Sequence, residues 1–146
     1  MYKVSLVPVD KITAIWNKIE PLVDKVIPYT YGRMITADVL HSLIINHYHL
    51  WVIYKEQDEI EAIAITEFMK YPRKTVLLIN FISGDNLDDW VKELDRVLVK
   101  FSKESGCDFL EACGRSGWER KVKKIGWQKR FTIVERHHDD SSRNVE

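Results

Sequence analysis

The sequence has 146 residues, enough for one ordinary domain that buries about two-thirds of its unfolded surface. Its 22 basic residues balance 22 acidic ones, which excludes a global field for nucleic acid or membrane while leaving room for a local patch. No apolar run is long enough to cross a bilayer and no charged-then-apolar leader pattern opens the chain, so the expectation is a cytoplasmic protein without a membrane partner.

Lys3 to Val7 alternates weakly and reads as a first strand closed by Pro8. Asp10 is a candidate N-cap for a helix striped by Ile12, Ile15, Trp16 and Ile19; Pro21 interrupts it, and Leu22, Val23 and Val26 continue its apolar side, which predicts a kinked or split helix. A loop with two tyrosines, Pro28 to Gly32, leads to a helix capped by Thr36 and striped by Val39, Leu40, Leu43 and Ile44. That helix is expected to end between His47 and His49. The spacing of His41, His47 and His49 suits a metal poorly, so they read as half-exposed polar residues at a helix-to-strand junction.

Leu50 to Tyr54 and Ile60 to Met69 form a hairpin across Gln57, Asp58 and Glu59, and Tyr71 to Lys74 turn the chain into the stretch on which the rest is arranged. This is TVLLINFISGDNLDDWVKELDRVLVKFSKESG, Thr75 to Gly106. In its strand half Val76, Leu78 and Ile82 point one way with Asn80 among them, and Leu77, Ile79 and Phe81 point the other, as in a central strand covered on both sides. Its helix half carries Leu87, Trp90, Val91, Leu94, Val97, Leu98 and Phe101 at spacings of three and four, with Gly106 placed to end it.

Asp108 to Cys113 is a further strand, and strand, helix, strand in one sheet implies a parallel right-handed crossover. Cys107 and Cys113 on that strand stand ~20 Å apart, beyond disulfide reach, so free thiols in a reducing compartment and no zinc site are expected. Gly114 to Gly126 frames a short helix with Ser116 as candidate N-cap, Glu119 three residues on, and Trp118, Val122 and Ile125 as its apolar side. Trp127 to Val134 reads as the last strand. Residues 1–136 thus form one domain, an α/β mixed sheet of about six strands with helices on both faces, and 137–146 a polar tail.

Two features carry chemistry. Asn80 is the one polar residue of its strand: either its amide meets a ligand where the sheet opens, or it satisfies backbone groups beside a bulge. Arg115, Arg120, Lys121, Lys123, Lys124, Lys129 and Arg130 form the strongest electrostatic feature, a surface for an acidic protein partner or, less favoured, nucleic acid, weighed against a simply solvated face. The five tryptophans read as core packing.

The element order and the ending GRSGWERKVKKIGWQKRF, with Gly114, Arg115, Gly117, Trp118, Gly126 and Trp127, resemble the GNAT family of acyl-CoA-dependent N-acetyltransferases. The likeness is greatest to small GNAT-like proteins of tailed bacteriophages, some of which are assigned to the virion interior. The resemblance implies an acetyl-CoA site against the splayed fourth and fifth strands, at Phe81, Ile82, Ser83, Gly84 and Asn86, with the pyrophosphate on the start of the long helix. It also implies a carboxylate base, Glu67 or Glu111, each of which reads equally as the solvent-facing half of an alternating strand.

The turn SGDNLDD departs from the family's pattern: one glycine remains, the basic residue is missing, and Asp85, Asp88 and Asp89 crowd the helix start. Carboxylates there already collect the helix-dipole energy, Asp85 or Asn86 as cap would occupy an N–H, and a carboxylate ~5 Å from a phosphate costs on the order of 3 kcal/mol. The last helix also lacks the tyrosine that serves as acid in the family. The expectation is therefore a GNAT-fold protein with an eroded acetyl-CoA site and no cofactor, a non-catalytic binding or assembly module in a phage virion or host cytoplasm. The alternative is an acetyl-CoA-dependent N-acetyltransferase with an unusual cofactor turn.

Overall fold

One sheet runs in the order β1 (Lys3–Leu6), β2 (His49–Tyr54), β3 (Ile60–Lys70), β4 (Thr75–Gly84) and β5 (Phe109–Ala112). The computed structural model describes residues 1–56, 59–115 and 117–139. The first four strands are antiparallel to their neighbours, and β5 is parallel to β4. The sheet is mixed because α3 (Leu87–Glu104) carries the chain from the end of β4 back to the start of β5, the crossover its pattern predicts. β4 is interior, though the middle of the sheet is β3.

Helices cover both faces. Ile12, Ile19 and Val23 of α1 (Ile12–Val26) and Val39 and Leu43 of α2 (Thr36–Ile44) bury against Leu50, Val52, Ile63 and Ile65. On the other face Trp90, Leu94 and Leu98 of α3 bury against Trp51, Ile53, Ala62, Ala64, Leu77 and Ile79. Gly106 just beyond α3 has φ +80°, the left-handed stop that a glycine adopts cheaply.

Several local expectations are corrected. α1 is one continuous helix: Pro21 lies on its exposed side, where the carbonyl that loses its N–H partner can be hydrated. Asp10 sits in a 3-10 turn (Val9–Lys11) ahead of α1 and caps nothing. Thr36 is the first residue of α2 and not its cap; Asp38 accepts the Ile35 N–H at 2.9 Å, and the Thr36 hydroxyl donates to Asp24 of α1. α2 ends at Ile44, after His41 and ahead of His47 and His49, where Asn46 turns through φ +62°.

The largest difference is at the C-terminal end. After the short α4 (Trp118–Val122) and a 3-10 turn (Lys123–Ile125), residues 127–138 carry no regular secondary structure, so the sheet has five strands among the described residues. The expected strand Trp127 to Val134 has no ladder partner among the described residues, and pattern alone cannot supply one. Ser116, the turn residues Gln57 and Asp58, and 140–146 of the tail lie outside the described residues.

The candidate functional site

The sheet opens where β4 outruns β5. Their pairing ends at Ile79 and Ala112, while β4 continues to Gly84 held by β3 alone. Within that stretch Ile65 pairs with Phe81 and Thr66 with Ile79, leaving Asn80 as the extra residue of a bulge. A one-residue insertion moves all later side chains to the opposite face. Phe81 therefore packs on the α1/α2 side and Ile82 joins Leu77 and Ile79 on the α3 side, the reverse of simple alternation.

On the α1/α2 face the bulge positions a polar cluster. Glu67 on β3 shares that face with Ile63 and Ile65, and its side chain is only 12% exposed, so it is not the solvent half of its strand. Its Oε1 accepts from Asn80 Nδ2 at 3.1 Å, and its Oε2 lies 2.9 Å from His47 Nε2. The Tyr48 ring stacks on His47 with centroids 5.4 Å apart. Burial first, and the negative charge of Glu67 second, raise the Tyr48 hydroxyl above its ordinary range. A carboxylate fixed by an amide and an imidazole at a sheet opening is chemically able to accept a proton from an incoming amine.

Asn80 forms the bulge, but its amide is spent on the Glu67 carboxylate and not on the backbone groups beside it. His47 was legible only as a junction residue, because its contact with Glu67 spans 20 positions and depends on the register of β2 and β3. Nearby His49 turns the other way, with Nδ1 2.8 Å from Thr66 Oγ1, so the two histidines serve different faces. Glu111 shares a cross-strand row with Leu78 and Glu67, but it accepts from Tyr71 at 2.7 Å, toward the β3–β4 turn and away from the opening.

The residues expected at a cofactor are dispersed. Phe81 is in the α1/α2 layer, Ser83 is buried, and Ile82 lines an apolar crevice under α3 and α4 with Trp118, Val122 and Trp127, with room for about one water. Gly84 has a packing reason of its own: a Cβ there would stand 2.4 Å from Ala62 Cβ and 2.7 Å from the Glu61 carbonyl oxygen. Asn86 flanks α3 in the left-handed region at φ +63°, and its side chain makes no cap hydrogen bond. The expected occupation of an N–H by Asp85 or Asn86 is thus replaced by a different device: Trp90 Nε1 donates to the Asp85 carbonyl at 2.8 Å and fixes the turn through its backbone.

Asp88 and Asp89 remain on the first turn of α3, and the cation absent from the turn arrives from α4, with Lys121 Nζ 3.2 Å from Asp88. Sequence reasoning missed this pair, which joins residues 33 positions apart. Of the other basic residues, Arg115 lies over the Tyr29 ring at 4.1 Å, while Arg120, Lys124, Lys129 and Arg130 are exposed. Arg115 and Lys121 are thus engaged with different parts of the domain.

No protein-family model and no curated protein matches the sequence. Solved structures match along nearly the whole chain. A probable acetyltransferase superposes with TM-score 0.71 at 12% identity, over 96% of this chain and 99% of that one. A predicted acetyltransferase with acetyl-CoA from Clostridium acetobutylicum gives TM-score 0.64 at 19% identity, over 94% and 96% of the two chains. The ribosomal-protein-alanine N-acetyltransferase of Brucella melitensis biovar Abortus 2308 gives 0.66 at 14%, over 94% and 99%. The protein has the fold of the GNAT acetyltransferases.

Proposed function

We propose that this chain is a GNAT-fold binding or assembly module in which the acetyl-CoA site has been eroded. The observation that carries this reading is the ion pair at the start of α3. Where the fold offers free N–H groups to a pyrophosphate, this chain sets Asp85, Asp88 and Asp89 against one lysine that Asp88 already holds. A phosphate arriving there has to displace Lys121 from Asp88 or accept the repulsion of the carboxylates. The resemblance to GNAT-like proteins of tailed bacteriophages supplies the setting, a phage particle or the host cytoplasm, and a protein is the partner expected for the exposed Arg120, Lys124, Lys129 and Arg130.

A second reading has its own support. Glu67, bound by Asn80 at the bulge and by His47, is what an N-acetyltransferase with an unusual cofactor turn would need as a base. Calorimetry with acetyl-CoA separates the two. A dissociation constant weaker than ~100 μM, about −5.5 kcal/mol, is the result expected for the eroded site. Micromolar binding, with thiol release on a panel of amines that is lost in Glu67→Gln, establishes the second reading instead.

A further inference from the structure

Both ends of the stretch after α4 are tied down, and on opposite faces of the sheet. At one end Trp127 packs in the apolar layer under α3, and its Nε1 donates to Asp95 of that helix at 2.8 Å. At the other, Glu135 Oε2 accepts from Arg33 Nη2 at 2.7 Å, in the loop between α1 and α2. The Arg33 guanidinium also donates to the Thr30 carbonyl at 3.2 Å, and His137 Nε2 lies 3.1 Å from the second Glu135 oxygen. Arg33 first, and His137 after it, hold the Glu135 carboxyl below its usual range.

These two anchors flank the sheet opening. β1 ends near the start of β2, so α1 sets out from the end of the sheet at which β4 begins. Its 15 residues, about 22 Å long, bring the α1–α2 loop to the end at which β4 stops. Arg115, just past the end of β5, fits this placement by lying over the ring of Tyr29, in the 3-10 turn Ile27–Thr30, at 4.1 Å. Layers packed on the two faces of a sheet stand about 20 Å apart, and the extended chain from Trp127 to Glu135 reaches about 28 Å at most. A stretch that bridges the layers with so little slack has no length left to lie along β5. That accounts for its missing ladder and for the exposure of Phe131, Ile133 and Val134.

We infer that residues 128–134 are a strap across the sheet opening, clasped by Glu135 to Arg33, and that the clasp has to be released before a ligand enters between β5 and the part of β4 beyond Ile79. The clasp is poised to open. Its side chains are 53% and 43% exposed, and an ion pair so exposed is weak and is screened by salt. A carboxylate or phosphate that takes Arg33 from Glu135 opens it. The inference rests on the closed acetyl-CoA site argued above and deepens it, adding a steric barrier to the electrostatic one at the start of α3.

Trypsin cleavage after Lys129 and Arg130, both exposed, reads the strap, because a segment held at both ends fits a protease poorly. At low salt the cleavage rate is expected to rise about fivefold in Arg33→Gln and in Glu135→Gln, and no further in the double variant, since each substitution breaks the same pair. High salt is expected to bring the wild-type chain to the same rate. Entry is read by alkylation of Ile82→Cys on a Cys107→Ser/Cys113→Ser background, with the nearly isosteric Ser83→Cys as the probe if the first chain does not fold. Adding Glu135→Gln is expected to speed alkylation by a similar factor. Unchanged cleavage overturns the clasp, and faster cleavage with unchanged alkylation overturns the strap as a barrier to the opening. Either result leaves the charge argument at α3 untouched, whereas micromolar binding of acetyl-CoA to the wild-type chain overturns the eroded-site reading whatever the strap does.

Discussion

The bulge at Asn80 serves two faces of the sheet in opposite ways. On the α1/α2 side it delivers an amide to Glu67, and the result is a partly buried carboxylate with both oxygens engaged. On the α3 side it delivers Ile82 to an apolar crevice, below a helix start that carries Asp88 and Asp89 and whose Asp88 pairs with Lys121. The bulge and its polar chemistry lie toward one face, while the start of α3 on the other side carries Asp88 and Asp89, with Lys121 paired to Asp88. Opening a sheet and equipping the opening are therefore separable, and a fold alone does not carry the function.

The comparison is most easily broken at Gly84, which a cofactor reading would assign to phosphate approach and the structure assigns to the meeting of β4 with Ala62. Gly84→Ala places a methyl 2.4 Å from another methyl at a φ of +138°. Overpacking and backbone strain together cost about 3 kcal/mol. Urea denaturation is expected to show that loss with no ligand present; a neutral substitution would release Gly84 to the cofactor reading. Next in size is Asn80→Leu, which keeps the branched shape but removes a donor from Glu67. It is expected to cost about 1–2 kcal/mol, with a coupling to Glu67→Gln of about 1 kcal/mol in a double-mutant cycle. Additive losses would mean that the amide serves only the bulge.

The sequence made some of this legible and hid the rest for a physical reason. Periodicity located α3 to within a residue or two, and the two-sided apolar run of β4 implied layers on both faces, because burial patterns are local. Asn80 could be flagged as the odd residue of its strand, yet its effect on Phe81 and Ile82 could not, since a bulge is defined by the partner strand. Glu67 with His47, Asp88 with Lys121 and Arg33 with Glu135 are contacts across 20, 33 and 102 positions, and no local pattern encodes them. The stretch 127–134 shows the converse error: its composition is that of a strand, and composition does not provide a neighbour.

His47 and His49, which flank Tyr48 at the start of β2, sharpen the same comparison through pH. Burial, with the nearby His47 as a lesser cause, lowers the His49 pKa from its ordinary 6.5, whereas the Glu67 carboxylate faces His47 from the other side of the sheet. A histidine with a depressed pKa is neutral in the fold while the unfolded chain still takes up a proton. Its contribution to stability is intact above pH 6.5 and falls as pH drops from there through the folded value. His49→Gln is expected to flatten the fall in denaturation midpoint between pH 7.5 and pH 5. An unchanged slope in His49→Gln would overturn the assignment of this pH dependence to His49.

The smallest stability effect is expected where the function reading is most exposed. Lys121 and Asp88 are 48% and 78% exposed in their side chains, so breaking the pair by Lys121→Ala or Asp88→Asn changes stability by no more than about 0.5 kcal/mol. Their effects on an anion at the α3 start are opposite in sign. Asp88→Asn removes a repelling carboxylate and releases Lys121 beside uncapped N–H groups, and the affinity for acetyl-CoA is expected to rise by about fivefold, roughly 1 kcal/mol. Lys121→Ala removes the only cation in contact with that turn among the described residues and lowers whatever binding remains. The gain in Asp88→Asn is expected to shrink in high salt, because the charges involved are screened over about 8 Å at physiological ionic strength. Calorimetry at two salt concentrations reads both signs. If neither substitution moves the affinity, the pyrophosphate does not use the start of α3, and the erosion argued from its acidic turn loses its ground.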